Sequence, residues 1–116
     1  RALTLIERAL SIRPNDGFYL DTLGCIQLRQ GQSKDAEASL SRAVQLTSED
    51  PEILEHYADA LAANGKSPEA AEAYGLALEK LRDAEGDEHA EAISRIEEKL
   101  KKSAAPNPRV SDKLSN

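Results

Sequence analysis

Cys25, His56 and Asp59 carry the side chains with which this chain could do covalent or metal chemistry. A thiol, an imidazole and a carboxylate can serve as nucleophile, general base and orienting acid. They can also serve as three donors to a zinc-class ion. The surrounding sequence supports neither use. No glycine-rich loop stands near Cys25 to offer backbone N–H groups to an oxyanion, and a closed metal site needs a fourth ligand. With 1 cysteine and 2 histidines in the chain, an internal disulfide and a paired-cysteine zinc knuckle are excluded, and His89 stands alone. There is no phosphate loop, dinucleotide fingerprint or zinc-protease motif. The expectation is a small buried thiol and a surface histidine, with no catalytic residue, no metal and no cofactor.

The composition says what could position such residues. Aromatic residues make up 3% of the 116 positions (Phe18, Tyr19, Tyr57 and Tyr74), so the core must be built mainly from Ala, Leu and Ile. A core poor in aromatics and rich in alanine, the best helix former, favours close-packed helices over sheets, and the fold class expected is all-α. A net charge of −6 argues against non-specific nucleic-acid binding, which needs a Lys/Arg surface. No apolar run approaches the length of a membrane span, so no membrane insertion is expected. The cysteine usage leaves the cellular compartment open.

Shifted by 34 residues, the sequence lies on itself without a gap. Ala2, Ala36 and Ala70 form one column, Ala9, Ala43 and Ala77 a second, and Ile6, Leu40 and Tyr74 a third. Leu10, Val44 and Leu78 follow, while Leu20 matches Leu54, Leu23 matches Tyr57, Gly24 matches Ala58 and Gly31 matches Gly65. Each period reads as two helices. The first starts at Gly17 behind Asn15 or Asp16 as cap and ends at Gln30, with Gly31 suited to a left-handed turn. Ser33 is the expected cap of the second, which runs to about Leu46. Asp50 with Pro51, and Ser67 with Pro68, open the next pair as cap plus first-turn proline. The small columns let helices approach closely, and a single hairpin would leave its apolar surface bare, so the units must stack.

Leu20, Leu23-Gly24, Gly31, Ala36, Leu40 and Ala43, and their counterparts Leu54, Tyr57-Ala58, Gly65, Ala70, Tyr74 and Ala77, resemble the pattern of the tetratricopeptide repeat (TPR). Pro14 stands where that family closes a repeat; Ser48 replaces the same proline one period later, and leucine replaces the usual first-helix tryptophan. The resemblance implies an α-α superhelix, a TPR solenoid of antiparallel helix hairpins with a C-terminal capping helix. Residues 1–16 read as the second helix of a truncated repeat, 17–50 and 51–84 as full repeats, 85–102 as the capping helix and 103–116 as a flexible tail. Asp87 would cap that last helix, whose stripe is Ala92, Ile93, Ile96 and Leu100. A start at Arg1 inside a helical pattern predicts a fragment from the C-terminal end of a longer array, bacterial in character.

What the family binds lies on its concave side, lined by first helices. The resemblance places Phe18, Asp21, Thr22, Cys25, Leu28 and Arg29 there from the first repeat, and Glu52, Glu55, His56, Asp59, Ala62 and Ala63 from the second. The carboxylate clamp of chaperone-binding members needs basic residues where this chain has Asp21, Glu55 and Asp59, so that clamp is not built. An acidic groove favours a basic or mixed apolar–basic segment. The expected function is therefore a protein–protein interaction scaffold for a peptide or partner helix. Two alternatives stand beside it. The segment could belong to a larger enzyme, or it could self-assemble into a homo-oligomer through residues 1–12, with Leu3, Ile6 and Leu10 as the face.

Overall fold

The computed structural model describes residues 2–104 apart from 85 and 87; the expected Asp87 cap and the tail beyond residue 104 lie outside them. The described chain is six helices: α1 (Ala2–Ile12), α2 (Gly17–Arg29), α3 (Ser33–Leu46), α4 (Pro51–Ala63), α5 (Ser67–Asp83) and α6 (Ala90–Ala104). Each packs on its successor, from α2 on α3 through α5 on α6, and α2 also touches α4. This is the α-α superhelix that the resemblance to the tetratricopeptide repeat implied.

The helix starts split into two kinds. Asp16 and Asp50 accept hydrogen bonds from the N–H groups of the second and third residues of α2 and α4, as side-chain caps do. Ser33 and Ser67 do not: each is already helical, and Gln32 and Lys66 hold the cap position without a side-chain bond. The tight turn through Gly31 (φ 81°) or Gly65 (φ 76°) brings the chain into α3 and α5 one residue earlier than a serine cap would allow. Where Ser48 replaces a proline, Ser48 (φ 53°) and Glu49 (φ 62°) both turn left-handed, and the Glu49 N–H bonds to the Val44 carbonyl. That closing turn is strained by about 1 kcal/mol per non-glycine residue.

The repeat columns are the core. Ala36, Ala43, Ala58, Ala70 and Ala77 are fully buried, as is Leu40, with Leu54, Tyr74 and Leu78 close behind. Leu20, Val44, Leu54, Tyr74 and Leu78 belong to one cluster that Ile96 of α6 completes; Ala36, Leu40 and Ala60 form a smaller one between α3 and α4. Gly24 marks the tightest approach, since a Cβ there would lie 2.4 Å from Leu40 Cγ.

Candidate protein-binding face

The first helices α2, α4 and α6 stand side by side, and their shared face is lined with charge. On α2, Asp21 and Cys25 are one turn apart; on α4, Glu55 and Asp59 repeat that spacing one period later. Asp21 Oδ1 meets His56 Nδ1 across the two helices at 2.8 Å. This hydrogen bond, with a smaller contribution from Cys25, outweighs burial and raises the His56 pKa to about 10. His56 is therefore a cation at neutral pH, and Asp21 is already paired.

Glu55 is also paired, and it is not on the open groove where the resemblance put it. It is 3% exposed. Arg95 of α6 donates to both of its oxygens, Nε to Oε2 and Nη2 to Oε1, each at 2.8 Å. Lys99, one turn along α6, reaches Glu55 at 2.7 Å and Asp59 at 3.1 Å. Burial alone would push the Glu55 carboxyl up; the bonds and charges of Arg95 and Lys99 outweigh it and hold the pKa at about 2. Asp59 additionally accepts from the Tyr74 hydroxyl, whose pKa burial and that acceptor push far up. In the first repeat the equivalent residues are Cys25 and Leu40. An acid on the first helix is thus matched to a hydroxyl on the second in one repeat, and a thiol to a leucine in the other.

Sequence spacing grouped Cys25 with His56 and Asp59. The structure groups Cys25 with His56 and Asp21 instead, because Asp59 is drawn to Lys99 and Tyr74. Leu28 turns away from the groove and packs against Ala36, Leu40 and Ala60. Phe18, Thr22, Arg29, Glu52, Ala62 and Ala63 are exposed, Phe18 at 62%. On α1, Ile6 is buried and Leu3 and Leu10 are half-buried, so the bare apolar side chains there are Leu5 and Ile12. His89 is half-buried and helps line a cleft of about 330 Å³ between the starts of α4 and α6, with Glu52, Glu55, Arg95 and Ile96.

Arg95 and Lys99 were not foreseen as groove residues. Their signal was present, since they share with Glu55 and Asp59 the four-residue spacing that puts both members on one helical face.

The Glu55 shift gives a pH dependence with a definite sign. Its carboxyl stands at about 2 in the fold against an ordinary 4.5, so its contribution is complete above pH 4.5 and vanishes as pH falls through 2. Urea unfolding should show wild type losing about 3 kcal/mol more than Glu55→Gln over that window. Parallel acid limbs for the two would remove Glu55 as the titrating group.

An all-helical array whose paired helices bury repeated small residues and set the first helices in a row is a helical-repeat solenoid. The sequence profile of the tetratricopeptide repeat matches residues 22–87, and the chain belongs to that family. It is 31% identical over 90% of its length to the cytochrome c-type biogenesis protein CycH of Rhizobium meliloti, spanning 32% of that protein. In fold it resembles the Yersinia enterocolitica type III secretion translocator chaperone SycD, with a TM-score of 0.78, 23% identity and coverage of 87% of this chain and 68% of that one. A role in protein–protein interaction follows from the family. No described helix is long and apolar enough to cross a membrane.

Proposed function

We propose that the face of α2, α4 and α6 takes an extended segment or a helix of a partner protein, of mixed apolar and basic character. The observation that carries this reading is the pair Phe18 and Glu52, which hold the same position in successive repeats and are both exposed. A segment lying across α2 and α4 would set an apolar side chain on Phe18 and a cation beside Glu52. Asp21, Glu55 and Asp59 add less than their number suggests, because His56, Arg95 and Lys99 already balance them. The preference for basic segments then rests on Glu52 and on the net charge of −6, and it is long-range and screened by salt.

Fluorescence anisotropy with labelled Leu/Lys and Leu/Glu peptides tests it. The Leu/Lys peptide should bind roughly tenfold tighter at low salt, with the gap narrowing as salt rises. Phe18→Ala should weaken binding at both salts, whereas Glu52→Lys should act mainly at low salt. Equal affinity for both peptides would discard the charge preference.

The likeness to CycH over 90% of the chain favours a second, narrower reading in which the partner is a polypeptide handled during c-type cytochrome biogenesis. Binding of a c-type cytochrome polypeptide to the same face, competed by the Leu/Lys peptide, would support it.

A further inference from the structure

We infer that Asp21, Cys25 and His56 form a site for a zinc-class divalent cation on the face between α2 and α4. Their ligand atoms, the Asp21 carboxylate oxygen, Cys25 Sγ and His56 Nδ1 or Nε2, all lie within 4.8 Å of one another. The Asp21 Oδ1 to His56 Nδ1 distance is 2.8 Å and the Cys25 Sγ to Asp21 Oδ1 distance 3.8 Å. Tetrahedral coordination at ordinary Zn–O, Zn–N and Zn–S lengths sets donor–donor separations of roughly 3.4–3.6 Å. The Asp21–His56 contact must open by about half an ångström and the Asp21–Cys25 contact close by less. The Cys25–His56 separation, which lies within 4.8 Å, must settle at a similar value; rotation of the three side chains is the adjustment required.

The donor set selects the ion. A thiolate and an imidazole with one carboxylate suit Zn²⁺, whereas Mg²⁺ and Ca²⁺ require all-oxygen shells. Charge also balances: a thiolate and a carboxylate offset the two charges of the ion. When the Sγ–metal and nitrogen–metal bonds form, the thiol proton and the proton on the ligating imidazole nitrogen leave to solvent. All three residues are half-buried, so the scaffold holds them while water reaches the fourth position. Asp21 and Cys25 are four residues apart on α2, and His56 comes from α4, so the ion would also tie the two first helices together. Nothing in this depends on which peptide the face binds.

Titration with Co²⁺, the spectroscopic stand-in for Zn²⁺, reads the site directly. The wild-type chain should develop a near-ultraviolet thiolate-to-cobalt band with visible bands of tetrahedral intensity at one equivalent. Zn²⁺ should bleach them and protect Cys25 from iodoacetamide. Cys25→Ser should abolish the charge-transfer band and His56→Gln should weaken binding by roughly tenfold or more, while His89→Gln changes neither; circular dichroism checks that each variant stays helical. Absence of a charge-transfer band in wild type, a Cys25 that stays fully alkylatable under saturating Zn²⁺, or affinity unchanged by both site substitutions would overturn the assignment.

Discussion

Replacing Arg95 and Lys99 together with glutamine should destabilise the chain by about 3 kcal/mol at neutral pH and release α6 first. The reason lies in what remains. Glu55 is 3% exposed, so without its cations the carboxylate must stay charged in a poorly solvated place or take up a proton. Arg95 is itself half exposed, with 52% of its side chain open, which sets the estimate at the low end for a broken buried pair. Hydrogen exchange should find α6 amides opening well before those of α4 and α5. Adding Glu55→Met to the double variant should recover most of the loss, since the methionine would sit beside Leu81, Ala92 and Ile96. If the triple variant is no more stable than the double, the buried carboxylate is not the source of the effect.

The second large effect should come from Gly24→Val, at about 2–3 kcal/mol of lost stability in urea unfolding. Valine would drive its Cβ to 2.4 Å from Leu40 Cγ and 2.9 Å from Cδ2. Leu40 is fully buried, and in a close-packed interior it can yield only by shifting its own neighbours. The matched control is Gly75→Ala in α5, where nothing lies within 4 Å of the new methyl. That change should stabilise by about 0.5–1 kcal/mol through helix propensity. Similar costs for Gly24→Val and for Gly75→Val, where a Cβ meets nothing within 4 Å, would point to the helix preference of valine itself instead of the contact with Leu40.

The contrast between Gly24 and its counterpart Ala58 shows what a repeat pattern can convey. The columns of small residues were legible because close helix contacts recur every 34 residues, and Ala36, Ala43, Ala58, Ala70 and Ala77 are all fully buried. Why the first repeat takes glycine where the second takes alanine was not legible, since it depends on how closely Leu40 approaches Gly24. The charges were harder still. Asp21, Glu55 and Asp59 were recognised as acids on first helices, but their partners come from other elements. His56 pairs with Asp21 across a repeat, and Arg95 and Lys99 reach Glu55 and Asp59 from α6. The phase of α6 against α4 is set by Ile96 in the core, beyond the point where the unbroken period ends. An acidic groove inferred from single helices therefore became a neutralised ladder between them.

Phe18, Thr22, Arg29, Glu52, Ala62 and Ala63 are left as the open part of that face, and their use by a partner is the claim on which the functional account stands. Backbone amide chemical-shift mapping during titration with the Leu/Lys peptide tests it most directly. The account predicts saturable shifts concentrated on α2 and α4 around Phe18, Thr22 and Glu52, with α3 and α5 amides largely still. Shifts confined to the outer helices α3 and α5, or to Leu5 and Ile12 of α1, would contradict it.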